Sequence, residues 1–453
     1  MKESMDKQII YILSPAKRET GGVELLHQLR YKLELMGYEA YMVYDGTMHA
    51  DPIPDQYREK YRVKFVGSVD VERGLFIIPE VALDFCTIPR FQNARTIIWW
   101  LSVDNALAFT TKEEIKRILN DRPDILHFSQ SRYAMEFLTK ELDVPKIKIF
   151  ELSDYINSIY LDAGENENKR DDVVLFNPAK GLEKTVRLIA KSDARVKWRA
   201  LKGLTPVQMK KVMSESKVYV DFGNHPGKDR IPREAAVCGC CVITNRNGSA
   251  MNDEDVPILP KYKIESEDNE PVLEKIYDLI QNYDVRVNDY KDYVAITLTE
   301  FRKFEVDVLR AFKRIFCEEQ AVHSIDETIA NISELIRQED IVNAFRDLIE
   351  YRLNGGNNTE EILILESNIR MQNGEYEEAK FSALEGLSIS ETKYELYLLL
   401  TENEFINNRH NVAKMMEYGK ETLDYSEKYA SEEEKEYIHS VIDDILTEIE
   451  KDS

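Results

Sequence analysis

Across its first 150 residues the chain repeats one alternation: a short β-branched or aromatic run, a turn, and then apolar residues at helical spacing. A parallel strand is reached only through a crossover, so strands that alternate with helices in this way predict a parallel α/β sheet covered by helices. Strand runs fall at residues 8–13, 39–44, 63–66, 75–78, 96–101, 125–128 and 146–150. Between the first two, residues 23–36 carry Leu25, Leu26, Leu29, Leu33 and Met36 at helical spacing, and Gly37 supplies a stop. Residues 163–172 hold no aliphatic residue beyond Ala and read as a solvated linker. The alternation then resumes, with strands at 173–176, 195–200, 218–221 and 241–244 and helices at 206–214 and 232–237. Two α/β lobes in tandem are expected, over residues 1–162 and 172–320.

From about residue 320 the strand signals stop and a third, all-α domain is expected over 321–453. Leu365, Asn373 and Ala379 recur 34 residues later as Leu399, Asn407 and Ala413. Asn373-Gly-Glu-Tyr-Glu-Glu-Ala379 resembles the turn and second helix of a tetratricopeptide repeat, in which a small Ala lets two helices approach closely. This segment also holds most of the acid: residues 321–453 contain 12 basic and 31 acidic residues, a net −19 of the chain's −23. Such a field repels nucleic acid and anionic headgroups, so the tail is expected to meet a protein partner or a second copy of itself, or simply to remain soluble.

No apolar run approaches the roughly 18 residues of a membrane span, and the polar start lacks the pattern of a secretory signal, so a cytoplasmic protein is expected. Five cysteines, three of them in Cys238-Gly-Cys-Cys241, do not form a disulfide layout. No second Cys or His pair stands at zinc spacing, and the small apolar surroundings of these three point to packing.

Three segments carry chemistry. Tyr11-Ile-Leu-Ser-Pro-Ala-Lys-Arg-Glu-Thr-Gly-Gly22 is a strand followed by two glycines before a helix, where backbone N–H groups can face an anion closely. Asn177-Pro-Ala-Lys180-Gly181 follows a strand, placing an ammonium where parallel strand ends open on a crevice. The densest is Asp221-Phe-Gly-Asn-His-Pro-Gly-Lys-Asp-Arg-Ile-Pro-Arg-Glu-Ala-Ala236, in which Lys228, Arg230 and Arg233 can offset a diphosphate and Glu234 can accept hydrogen bonds from ribose hydroxyls. An internal salt-bridge network is the competing reading of those same charges.

The order of these elements and their local text resemble the GT-B glycosyltransferases, especially the large retaining group that uses nucleotide sugars. Gly21-Gly22 resembles that group's phosphate-approaching glycine loop, Lys180-Gly181 its phosphate-binding pair, and Glu234-Ala-Ala-Val-Cys-Gly-Cys-Cys-Val-Ile its Glu-Ala stretch, whose Glu holds the ribose. Asn247-Gly248-Ser249 corresponds to the small-residue loop at the diphosphate, and Leu152-Ser-Asp-Tyr155 to the turn before the interdomain linker. The similarity covers residues 8 to about 316.

The resemblance implies transfer of a sugar, of the hexosyl type, from a nucleotide-diphospho-sugar to a glycan, lipid-linked or protein acceptor in the cleft, as in bacterial-type polysaccharide or glycoconjugate synthesis. It implies no cofactor and no metal, and Asp253-Glu-Asp255, which formally fits a metal pattern, reads as an acidic turn. Asp104, beyond the strand that ends in Trp99-Trp100, is the candidate for contacting the sugar or orienting the acceptor hydroxyl, and His225 for meeting the transferred group. The sequence departs from the family at Pro226, where a second Glu is usual, and at Asn177, usually basic. The loss at Pro226 keeps alternative functions open: a catalytically idle scaffold with a protein-binding tail, or a GT-B epimerase.

Overall fold

The alternation becomes two parallel sheets in the computed structural model, which describes residues 8–45, 51–72, 74–162, 170–265, 267–318 and 325–452. Strands β1 (Ile9–Pro15), β2 (Ala40–Asp45), β3 (Gly74–Pro79), β4 (Arg95–Trp100), β5 (Leu126–Ser129) and β6 (Ile149–Glu151) form the first, in the order β2-β1-β3-β4-β5-β6. Strands β7 (Asp171–Phe176), β8 (Lys197–Ala200), β9 (Ser216–Asp221) and β10 (Cys241–Thr244) form the second, in the order β10-β9-β7-β8. Every pair is parallel. The central strands are continuous apolar runs, such as Ile10 to Leu13 and Leu75 to Ile78, because helices cover both faces. Cys238, Cys240 and Cys241 are fully buried in the second core.

Two expectations are corrected. Residues 63–66 form no strand: Phe65 makes a single bridge to Met42 and is 45% exposed, being outside the edge strand β2. Residues 163–169 lie outside the described residues, but Asp171 and Asp172 are not linker. They open β7, where their charges stay at the exposed strand start and Lys217 Nζ lies 2.6 Å from Asp172 Oδ1.

Strand order locates the crevices. Connections leave β1 in opposite directions toward β2 and β3, and those of the second sheet reverse between β7 and β9; ligands of open α/β sheets gather beyond the carboxyl ends of the strands at such reversals. Helix α1 (Gly21–Leu35) begins just after β1, α2 (Val103–Phe109) follows β4, and α3 (Arg230–Val237) follows the loop after β9. The sequence segments rich in Gly, Lys and Arg therefore sit at the switch points.

Helix α4 (Glu300–Phe316) returns to the first sheet. Phe304 stacks on Trp99 with centroids 6.4 Å apart, Phe312 packs on Phe128 at 5.9 Å, and Lys32 Nζ meets Glu305 Oε1 at 2.6 Å with both side chains fully buried. Residues Met1–Glu318 thereby form one compact unit and Glu319–Ser453 a second. The second unit is helical throughout its described residues, in antiparallel pairs that include Glu360–Asn373 with Tyr376–Leu387 and Tyr394–Asn407 with Val412–Tyr429. Ala379 is buried as a close helix approach requires, whereas Ala413 is exposed, so the 34-residue spacing does not carry the same packing twice. No described helix is long and apolar enough to cross a membrane.

Phe304→Ala should destabilise the first unit by about 3–5 kcal/mol, the usual range for deleting a buried aromatic ring. Denaturant unfolding followed by tryptophan fluorescence, to which Trp99 beneath the ring contributes, measures it.

Candidate functional site

Glycines bring the switch-point loops together. Thr20 caps α1, its hydroxyl accepting from Val23 N, and the helix opens with Gly21 and Gly22. A Cβ on Gly21 would lie 3.5 Å from Arg230 Cδ of the second lobe, and one on Gly22 3.6 Å from Leu101 Cδ1 of its own lobe, so the helix start faces the second lobe through Gly21. There Gly181 (φ +59°) presses on Phe222, and Gly223 on Lys180, at distances of 2.4 and 2.3 Å that would forbid a Cβ. Gly248 (φ +59°) packs on the His225 carbonyl, which accepts from Ser249 N at 2.8 Å, while Ser249 Oγ donates to Gly227 O at 2.6 Å. Gly21, Lys180, Gly248 and Ser249, scattered in sequence, thus border the loop after β9, which contains His225, or the helix start that follows it, while Gly22 abuts the loop after β4.

That loop is also clamped to the first lobe. Gln130 accepts from Lys228 N at 2.9 Å and donates to its carbonyl at 3.3 Å, as a neighbouring strand would, and a Cβ on Gly227 would overlap Leu101 O at 2.1 Å. Asp255 accepts from Arg132 N at 2.7 Å and Tyr133 N at 2.9 Å, capping a helix start of the opposite lobe. Beside this clamp lies a polar cavity of about 120 Å³ lined by Gln130, Glu151, Ser153, Lys228, Glu254 and Asp255, among others.

All three cations of the loop region are ion-paired. Arg230 donates to Glu24 Oε2 at 2.7 Å and Gln28 Oε1 at 2.8 Å, both on α1, and lies 3.4 Å from Asp154 Oδ2. Arg233 is fully buried between Asp154, which it meets at 2.8 Å, and Glu300; Lys228 Nζ reaches Glu300 Oε1 at 2.6 Å. Lys180 pairs with Asp229 at 2.6 Å. Burial raises the Glu24 carboxyl, but Arg230 and Lys60 outweigh it and hold the group down to about 2. Glu24, Asp154, Glu300, Gln130 and Asp255 were not singled out as site residues from sequence. The groups of the site that they meet lie 67 to 206 residues away in the chain, and Asp154, in the turn before the linker, and Asp255, in the acidic turn, lay in segments already quoted.

Asp104 sits in the first turn of α2 and has both oxygens engaged, accepting from Tyr133 OH at 2.8 Å and from Asn224 Nδ2 of the other lobe at 2.6 Å. His225 is fully buried, with Nδ1 2.9 Å from Asp229 Oδ2. Glu234, in the middle of α3, is nearly buried, and burial pushes its carboxyl up to about 7 against the pull of Arg230.

No protein-family profile matches the sequence, and no curated protein matches it. Solved structures do. HepE of Anabaena, solved in complex with UDP-glucose, superposes with a TM-score of 0.52 at 11% identity, over 68% of this chain and 99% of that one. The sucrose-phosphate synthase of Thermosynechococcus elongatus superposes with a TM-score of 0.51 at 14% identity, over 69% and 100%. The architecture is therefore GT-B, two Rossmann-like lobes, followed by a helical region.

Two outcomes are expected here. Arg233→Met leaves Asp154 and Glu300, 2% and 3% exposed, each with its second cation alone, Arg230 at 3.4 Å and Lys228 at 2.6 Å, and should cost about 3 kcal/mol in equilibrium unfolding, the low end for a broken buried pair. For Glu234 the native state holds its proton up to about pH 7 whereas a free carboxyl releases it near 4.5, so stability falls as pH rises between these values. Glu234→Gln should melt like the unmodified protein at pH 5 and above it at pH 8, by up to about 3 kcal/mol.

Proposed function

We propose that the first unit is a glycosyltransferase that moves a sugar from a nucleotide-diphospho-sugar to an acceptor in the cleft between its lobes, in polysaccharide or glycoconjugate synthesis. The observation that carries this reading is the meeting of the α1 N-terminus, Lys180, Arg230 and the Gly248–Ser249 turn at the switch points of both sheets. An anionic diphosphate finds helix-terminal N–H groups and cations there. HepE, of the same fold, was solved with UDP-glucose.

In this reading Glu234 accepts from the ribose, Lys180 and Arg230 exchange Asp229 and Glu24 for donor phosphate, and Lys228 and Arg233 hold the loop in place. Asp104 is the residue proposed nearest the transferred sugar, the acceptor lies against the first lobe, and His225, fully buried, backs the loop after β9 instead. Fixed cations and helix dipoles stabilise the departing diphosphate. The acidic helical unit, tetratricopeptide-like in its helix pairing, is proposed to dock a protein partner or a second copy.

One observation favours an idle scaffold instead: Lys180, Lys228, Arg230 and Arg233 are all paired with carboxylates already on the chain. Titration of the full-length protein with UDP, GDP and ADP in a calorimeter, together with a panel of labelled nucleotide sugars assayed for hydrolysis and transfer, separates the two. Saturable binding of one nucleotide, weakened at least tenfold by Glu234→Ala, with release of sugar from the matching donor, is expected. A protein that binds none of them is a scaffold.

A further inference from the structure

His225 lies at the carboxyl end of the second sheet with its side chain fully buried, yet neither of its ring nitrogens has a hydrogen-bond partner among the described residues. Nδ1 stands 2.9 Å from Asp229 Oδ2, an oxygen that Lys180 Nζ also meets at 2.6 Å. Nε2 faces Asp221 Oδ1 at 3.8 Å.

That separation is too long for a hydrogen bond. It suits two ligands of one cation: atoms each about 2.1 Å from a metal lie roughly 3.4 Å apart at a tetrahedral angle and farther as the angle opens. Asp221 is itself fixed, accepting from Tyr219 OH at 2.9 Å and Gly223 N at 3.0 Å. On the neighbouring strand, the residue in register with Asp221 is Thr244, whose buried hydroxyl also has no partner among the described residues. Asp221, His225 and Asp229 each present a donor atom within 4.8 Å of the others.

We propose that this cluster is a buried divalent-cation site, with His225 Nε2 and the Asp221 carboxylate as direct ligands and Asp229 as the positioning residue that holds the ring. Orientation of a ligating imidazole by a carboxylate on its other nitrogen is the usual arrangement around such ions. The mixed nitrogen and oxygen donors suit Zn²⁺ or Mn²⁺ better than Mg²⁺. The cation pins the loop after β9 to its strand, fixing the segment that carries Lys228 and Arg230. This departs from the metal independence that the family resemblance implies, and it stands whether or not the protein transfers sugars.

The test is calorimetric titration of the chelator-stripped, full-length protein with ZnCl₂, MnCl₂ and MgCl₂, each without nucleotide. One equivalent of Zn²⁺ or Mn²⁺ should bind, with affinity falling about 10–100-fold in Asp229→Asn and further in His225→Gln and Asp221→Asn. Asp253→Asn, whose carboxylate pairs with Lys263 outside the cluster, should bind as the unmodified protein does. Pulsed electron paramagnetic resonance of the Mn²⁺-loaded, unmodified protein should show coupling to an imidazole nitrogen, which keeps the test decisive if a variant fails to fold. Absence of binding by all three ions, binding unchanged in His225→Gln, or a bound Mn²⁺ without nitrogen coupling would each overturn the site. Because metal alone is the probe, nucleotide binding is scored separately.

Discussion

The first unit depends on one buried exchange of charge. Glu24 and Asp154 come from the first lobe, Lys228, Arg230 and Arg233 from the second, and Glu300 from the helix that returns between them. Each of these groups would be expensive to bury alone, and paired burial adds little net stability over an apolar core. What the exchange does supply is register: a shift of one lobe against the other strands several charges together. The hydrogen-bond clamp of Gln130 on Lys228 and the cap of Asp255 on Arg132 and Tyr133 fix the same relation through the backbone.

Glycine works alongside charge. Gly181, Gly223, Gly227 and Gly248 sit where another loop's backbone or Cβ occupies the space of a side chain. Close backbone approach lets a short loop after β9 touch the loops after β4, β7 and β10 at once, so that the charged side chains are aimed by main chain rather than by their own long, flexible stems. The organisation resembles a hub whose spokes are strand ends.

The alternation of apolar runs and helical spacing was sufficient to read two parallel sheets and a helical tail, because parallel strands buried on both faces leave uninterrupted apolar text. It misled at residues 63–66, where β-branched and aromatic content marks an edge bridge and not a strand, and at Asp171–Asp172, where acidic residues open a strand. The segment around His225 to Glu234 stood out because prolines, glycines and charges crowd into a few positions. Whether those charges face a ligand or the protein was not legible, since the partners of Arg230 and Arg233 are chosen by tertiary contact with Glu24, Asp154 and Glu300. Likewise His225 read as a cleft residue, whereas its ring is fully buried beside Asp221 and Asp229.

The return of Glu300–Phe316 to the first sheet also sets an order of assembly. Trp99 and Phe128 belong to strands made early, but the rings that cover them, Phe304 and Phe312, lie in the last helix of the unit. During synthesis the first sheet therefore waits for about 160 further residues after β6 before that face can close, on the order of ten to thirty seconds at ordinary elongation rates. A nascent chain of this kind presents an open apolar surface to chaperones for the whole time its second lobe is being made.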